Sequence, residues 1–282
     1  MYRLSAISIG LLLIVPTVQG QTLMAPLPDS NEFQEELLHG KPANPKTWPV
    51  TLQFESAGGL CTSTIIGEKV VLTAGHCVPN QSKARVFYDN KLTTITCHHH
   101  PQYKGAGCLS ATSIADIKGC TADVALCVAD TSFSSTVAGQ AVKFETINGD
   151  PALLKKDGPV VLLGFGCTQA GGGVSPILRV GNAKVTSLSV PGASSNPANT
   201  MQEYIIAQGG AALCQGDSGG AAFNTQDPNR KVAGVNSRGN IATVSFLTAT
   251  SDPHVQDFFK SFSGAPNNLE ICGVTPGAKN CR

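Results

Sequence analysis

The sequence predicts an all-β fold, either a barrel or a sandwich, and three observations support this prediction. Apolar and polar residues alternate in short segments such as Val50, Leu52 and Phe54, which is the period of a half-buried strand. Glycine and proline, at 30 and 17 residues, separate these segments. Helical periodicity occurs in one place, near the C-terminus. Short strands joined by tight turns are typical of all-β barrels and sandwiches.

Strands and one helix can be placed from these patterns. The helix is predicted over about 252–262, with Ser251 or Asp252 as its cap and Pro253 in its first turn. Its apolar face comprises Val255, Phe258, Phe259 and Phe262. The strands are predicted at 50–54, 62–66, 70–73, 84–88, 92–97, 124–128, 160–165, 179–188, 204–207, 221–223, 232–236 and 243–248.

The N-terminus predicts export. A basic start at Arg3 is followed by an apolar run from Leu4 to Val15, and small residues precede a cleavage point after Gly20. A membrane anchor is the alternative, but a span needs about 20 apolar residues and this run is shorter. Residues 1–20 are therefore predicted to be a signal peptide. The polar, proline-containing residues 21–36 resemble a short propeptide.

Composition excludes some partners and indicates disulfides. Only 14% of the residues are charged and the net charge is +1, so no basic excess exists to bind nucleic acid or an anionic membrane. The chain has 10 cysteines, an even number, and export makes disulfides their expected state. Spacing alone leaves their connectivity open.

Three segments carry residues suited to nucleophilic catalysis. His76 ends the segment 72–77, Asp123 precedes an apolar strand, and Ser218 lies in a glycine-rich turn at 214–220. A serine hydroxyl needs an adjacent base, and a histidine held in one tautomer by a carboxylate supplies it. Each segment alone has a structural interpretation, as a buried histidine, a turn acid or a loop. Their combination in the order His, Asp, Ser favours catalysis.

These motifs resemble those of the chymotrypsin-like, trypsin-family serine proteases over roughly residues 37–262. Leu-Thr-Ala-Gly-His-Cys resembles the histidine box of that family, and Gly-Asp-Ser-Gly-Gly its serine box. Asp123 matches the position of the acid, with Asp116 as the alternative, and Ser237 matches a serine that bonds the buried acid. The resemblance implies two six-stranded antiparallel Greek-key barrels, an active site between them and a C-terminal helix. Residues 37–282 would form this domain, ending in a tail at 264–282.

The resemblance also implies a mechanism and an activation step. Ser218 is the expected nucleophile and His76 its base, with the backbone N–H groups of Gly216 and Ser218 as the oxyanion hole. Asp217 matches a buried acid that pairs with a new N-terminal amine after propeptide cleavage. That amine would belong to Leu37, so a zymogen is expected. No cofactor or metal is expected.

The expected specificity pocket lacks an acid. Its base corresponds to Ala212, followed by Leu213, and Gly239 is expected to flank the pocket and leave it open. Arg238 stands where the family usually has an aromatic residue. An apolar or small P1 side chain is therefore expected in place of Lys or Arg. Expected partners are protein or peptide substrates and protein protease inhibitors, with the enzyme as a secreted monomer.

The family's bridge beside the catalytic histidine implies a Cys61–Cys77 disulfide. The remaining pairs are hypotheses: Cys167–Cys214, Cys97–Cys127, Cys108–Cys120 and Cys272–Cys281. Consecutive histidines at 98–100 suggest a zinc site, but neighbouring strand residues point to opposite faces and converge poorly on one ion. A solvated polar turn before Pro101 is the favoured interpretation.

Overall fold

A computed structural model describes residues 37–56, 59–103, 105, 120, 122–188 and 204–282. The predicted signal peptide and propeptide, Cys108 and Asp116 lie outside these residues. The described residues form one compact unit. Within the described residues, no helix has the length and apolar character needed to cross a bilayer.

The N-terminal half forms a closed six-stranded antiparallel barrel. The strands are β2 (Thr51–Ser56), β3 (Gly59–Gly67), β4 (Val70–Thr73), β5 (Ser82–Tyr88), β6 (Lys91–His99) and β7 (Ala125–Ala129). They pair in the order β2-β3-β4-β7-β6-β5, and β5 returns to pair with β2. Alternate residues of β5 are buried, which is the pattern of a strand with one face on a core.

The C-terminal half forms a second closed antiparallel barrel. Its strands are β10 (Pro159–Gly164), β11 (Arg179–Ser187), β12 (Tyr204–Gln208), β13 (Ala221–Phe223), β14 (Val232–Gly239) and β15 (Val244–Ala249). They pair in the order β11-β10-β13-β14-β15-β12, and β12 closes the barrel by pairing with β11. A short strand, β1 (Lys41–Pro42), adds to β11, and β8 (Thr136–Val137) pairs with β9 (Gln140–Ala141). The predicted fold of two six-stranded barrels is confirmed.

One α-helix, α1 (Pro253–Ser263), follows the second barrel. Asp252 caps it by accepting a hydrogen bond from the His254 N–H at 2.8 Å, which selects Asp252 over Ser251. The predicted apolar face is buried against the main hydrophobic cluster, which also lines the first barrel. The helix therefore packs against the first barrel.

The histidine run corrects a prediction. His98 and His99 belong to β6, and His100 is buried with only 3% of its surface exposed. The His100 Nε2 donates to the His254 carbonyl at 3.1 Å, and its Nδ1 accepts from the Gln102 N–H. The solvated-turn interpretation is therefore wrong, because His100 joins the first barrel to α1 as a buried structural residue.

A buried ion cluster surrounds the Glu145 carboxylate. Arg230, 1% exposed, bonds both Glu145 carboxylate oxygens, at 2.5 and 3.2 Å. Its guanidinium also lies 3.6 Å from the centre of the Trp48 ring. The C-terminal Arg282 forms a second ion pair with Glu145 at 3.2 Å. Glu145 is buried, so these cations stabilise its charge where water cannot.

Arg230→Met tests this cluster. The substitution keeps apolar volume but removes the main partner of a buried carboxylate, so we expect the free energy of unfolding to fall by about 3–5 kcal/mol. Chemical denaturation measures it. Lys231→Met, at the exposed neighbouring position, is the control and should change stability by less than about 0.5 kcal/mol. Equal stabilities for the two variants would contradict the assignment.

Candidate active site

His76 and Asp123 form a direct pair at the edge of the first barrel. His76 lies in a single 3-10 turn, Gly75–Cys77, directly after β4, and Asp123 lies just before β7. The His76 Nδ1 lies 2.7 Å from Asp123 Oδ2, and the His76 backbone N–H donates to Oδ1 at 2.9 Å. Because a carboxylate only accepts, Nδ1 carries the proton. His76 Nε2 is thereby left as the acceptor that a general base requires.

The second barrel completes the environment of Asp123. The Ser237 hydroxyl, on β14, donates to Asp123 Oδ2 at 2.6 Å, and Thr248 on β15 donates to the Asp123 carbonyl at 3.3 Å. Burial would raise the pKa of Asp123. The His76 charge and the hydrogen bonds from His76 and Ser237 outweigh burial and hold that pKa below its usual value. Asp123 is therefore kept ionised.

The pKa of His76 reflects opposing effects. Burial would lower it, but the charge and hydrogen bond of Asp123 prevail and raise the pKa above the ordinary value of 6.5. The positive charge of Arg238 acts in the opposite direction and lowers it. Arg238 itself is partly exposed and donates to the Cys120 carbonyl at 3.1 Å. A cation beside the imidazole thus limits how basic His76 becomes.

Ser218 lies in the turn that precedes β13, facing the histidine segment. Its carbonyl accepts the Thr62 N–H at 2.8 Å and contacts the Cys77 sulfur at 3.6 Å. Among the described residues, its hydroxyl forms no hydrogen bond with His76. Such contacts are often long without substrate and shorten in the reacting complex. The fold therefore places Ser218 against the residues beside His76, but its hydroxyl is not hydrogen-bonded to the imidazole.

The two N–H groups expected to form the oxyanion hole belong to this turn. Gly216 has φ +100°, a conformation that favours glycine. The N–H groups of Asp217, Gly219 and Gly220 donate to backbone carbonyls. Within the described part of the chain, those of Gly216 and Ser218 donate to no protein acceptor. Two unused donors in an otherwise bonded turn, one on each side of Asp217, are suited to an anionic oxygen.

Asp217 holds the same turn from its buried side. Its Oδ1 accepts the Gly166 N–H at 2.7 Å and its Oδ2 the Cys214 N–H at 2.8 Å. A Cβ at Gly164 or Gly166 would collide with this carboxyl, so both glycines make room for it. Burial raises the pKa of Asp217 to about 7, against these hydrogen bonds and the charge of Arg179. Asp217 thus has backbone donors and one neighbouring cation, Arg179.

Leu37, the predicted mature N-terminus, is fully buried in the apolar cluster of the second barrel. Its side chain packs against Gly181, and the carbonyl of Leu38 accepts the Ala212 N–H at 3.0 Å. Residues 37 and 38 therefore lie against the segment that leads into the serine turn.

The predicted pocket residues lie in the segment before the serine turn and on β14. Ala212 and Leu213 are buried, and the Leu213 N–H donates to the Ser245 hydroxyl at 3.0 Å. No local pattern marks Ser245, because its role depends on the pairing of β14 with β15. Gly239 pairs with Ser245 of β15, and a Cβ at this position would meet the Val244 carbonyl, so the close approach of the two strands requires glycine. That Gly239 leaves the pocket open stays a prediction.

Four predicted disulfides are formed. They are Cys61–Cys77, Cys97–Cys127, Cys167–Cys214 and Cys272–Cys281. The Cys108–Cys120 pair involves a residue outside the described part of the chain and stays a prediction. Cys61, His76 and Cys77 also lie close enough to suggest a metal site, but both sulfurs are bonded in the disulfide.

The effect of Arg238 on His76 can be measured directly. Arg238→Gln removes a positive charge that lowers the His76 pKa, so we expect the imidazole to become protonated at a higher pH than in the parent protein. An NMR titration of the His76 ring signals measures this pKa. Arg238→Lys keeps the charge and should leave the pKa near the parent value. An unchanged or lower pKa in Arg238→Gln would overturn the assignment.

Comparison with known proteins identifies the family. The trypsin family model matches residues 37–251. Chymotrypsin-like elastase family member 1 of Rattus norvegicus is 25% identical over 228 residues, covering 74% of this chain and 81% of the relative. Its Homo sapiens counterpart has the same identity and length, covering 74% and 83%. Human heparin binding protein shares the fold, with a TM-score of 0.56 at 17% identity over 80% of this chain and 96% of that one. The chain belongs to the trypsin family of serine endopeptidases.

Proposed function

We propose that Ser218, His76 and Asp123 are the catalytic triad of a secreted endopeptidase. The observation that carries this proposal is the 2.7 Å contact between His76 Nδ1 and Asp123 Oδ2, buried beside the serine turn. It fixes the tautomer in which Nε2 can accept a proton. The intact pair and the two unused N–H groups support an active enzyme over the alternative, a catalytically inactive homologue that acts as a binding module.

The proposed reaction proceeds through an acyl-enzyme. Ser218 Oγ attacks the substrate carbonyl carbon while His76 Nε2 accepts the hydroxyl proton. The N–H groups of Gly216 and Ser218 bind the resulting oxyanion, and His76 then returns the proton to the departing amine. A water molecule activated by His76 releases the acyl group. Asp123 stays ionised throughout and stabilises the imidazolium.

The proposed P1 preference is for apolar or small side chains. Ala212 and Leu213 bring no charge to the base of the pocket, and the buried Ser245 hydroxyl is engaged with the Leu213 N–H. A buried Lys or Arg side chain needs an opposite charge, which these residues lack.

Peptide hydrolysis tests the triad and the preference together. We expect substrates with Ala, Val or Leu at P1 to be cleaved faster than those with Lys or Arg. Ser218→Ala should lower kcat by roughly 10⁶-fold, because the nucleophile is lost. Ser263→Ala, at a partly exposed position at the end of α1, is the matched control and should retain full activity. Full activity of Ser218→Ala would overturn the triad, and preferential cleavage after Lys or Arg would overturn the pocket assignment.

Activation by cleavage after Glu36 is also proposed. In the uncleaved chain Leu37 contributes only an amide nitrogen. Burial has raised the pKa of Asp217 to about 7, so its ionised form is poorly stabilised. A new ammonium group at Leu37 would supply a counter-charge and favour the carboxylate that holds the serine turn.

The free amine can be tested with three chains. We expect a chain that begins at Leu37 to be at least about 100-fold more active than one with an extra methionine before Leu37, because a buried carboxylate without its partner costs about 3–5 kcal/mol. Leu37→Ile at the free N-terminus keeps the amine and should keep the activity. Equal kcat/KM values with and without the extra methionine would rule out activation by the free Leu37 amine.

The same proposal includes secretion of the enzyme and the kinds of partner that it binds. Four disulfides in the described chain are typical of an oxidising, extracellular compartment. This supports the proposed signal peptide at 1–20, propeptide at 21–36 and enzyme domain at 37–282. The proposed enzyme is a monomer without a membrane anchor or nucleic-acid partner. It acts on proteins or peptides and is open to protein protease inhibitors.

A further inference from the structure

The hydroxyl of Thr62 lies buried between the two barrels. Thr62 belongs to β3 of the first barrel and has no exposed surface. Its Oγ1 donates to the Gly216 carbonyl at 2.8 Å and accepts the Phe165 N–H at 3.1 Å. Both capacities of the hydroxyl are therefore used on backbone groups of the second barrel.

The backbone of Thr62 contacts the same region. Its N–H donates to the Ser218 carbonyl at 2.8 Å, and its carbonyl accepts the Thr73 hydroxyl at 3.0 Å. Thr62 thus bonds the carbonyls on both sides of Asp217, at Gly216 and Ser218. The Phe165 bond lies next to Gly166, whose N–H holds the Asp217 carboxyl.

These contacts fix the orientation of the serine turn. The Gly216 carbonyl and the Asp217 N–H share one planar peptide unit, so a bond to that carbonyl fixes the unit. Gly216 joins this unit to the preceding one, which carries the Gly216 N–H. Glycine has unusual backbone freedom, so the direction of that N–H needs an external constraint. The Thr62 hydroxyl supplies one from the opposite barrel.

We infer that Thr62 is a positioning residue. Its hydroxyl holds the peptide unit that carries the Gly216 carbonyl, and this orients the N–H groups of the oxyanion hole. This inference rests on the proposed function of Ser218, Gly216 and the triad. Strand β3 of the first barrel would thereby help to orient the oxyanion hole, whose N–H groups belong to the second barrel. Because the hydroxyl touches no reacting atom, it acts through Gly216.

Thr62→Val tests the inference, because valine keeps the shape and removes the hydroxyl. We expect kcat to fall about 10- to 100-fold, below the 10²–10³-fold loss of a direct oxyanion donor, while KM stays within about threefold. Thr62→Ser restores the hydroxyl and should recover most of kcat. A peptide boronate, which forms a tetrahedral adduct with the serine, should bind more weakly to Thr62→Val by a similar factor. Binding of the product peptide should stay unchanged.

Thr64→Val is the matched control. Thr64 is also buried in β3, and in the described part of the chain its Oγ1 has no hydrogen-bond partner. Its loss should leave kcat and boronate affinity at parent values. Thermal unfolding of each variant separates a loss of fold from a loss of positioning, and Thr62→Ala provides a second, smaller replacement.

Each outcome decides the inference. A selective loss of kcat and boronate affinity, recovered by serine, supports it. Parent kinetics in Thr62→Val, an equal loss in Thr64→Val, or failure of both Thr62→Val and Thr62→Ala to fold would overturn it. The proposed function fails separately, if the parent enzyme beginning at Leu37 neither cleaves peptides nor binds the boronate.

Discussion

The buried carboxylate of Asp123 is the constraint on which the arrangement of the site depends. An ionised group at this depth is stable only with several hydrogen bonds. Two come from His76 and one from Ser237, which lie in different barrels. The two barrels must therefore be docked in one relative position before Asp123 can stay charged. The same position brings the serine turn against β3 and the histidine segment.

The serine turn is held by a second set of interactions that does not involve the triad. Asp217 bonds two backbone N–H groups, at Gly166 and Cys214, and a disulfide joins Cys167 to Cys214. The segment that follows β10 and the segment that enters the turn are thus connected by both covalent and hydrogen bonds. Thr62 approaches this assembly from the first barrel. The conformation of the turn is consequently a property of the whole domain, since its short sequence motif supplies only part of these contacts.

Local motifs made the proposed catalytic residues predictable. His76, Asp123 and Ser218 stand in short segments whose residue types are required by the proposed chemistry. Strand alternation predicted an all-β fold, whereas the two barrels were expected from the family resemblance. Contacts between distant segments were harder to predict. Thr62, Ser245 and Arg179 act through partners more than 30 residues away in sequence, and nothing in their own segments marks them. The histidine run at 98–100 was misread for the same reason, because α1 buries His100 from a part of the chain far away.

Reaction with a fluorophosphonate probe, mapped by mass spectrometry, tests most directly whether Ser218 is an activated nucleophile. The account predicts one phosphonylated residue, Ser218, in the chain that begins at Leu37, and no labelling in Ser218→Ala. His76→Ala should be labelled far more slowly, because the serine loses its base. Absence of labelling in the folded parent chain, or labelling at another serine, would contradict the account and favour an inactive homologue.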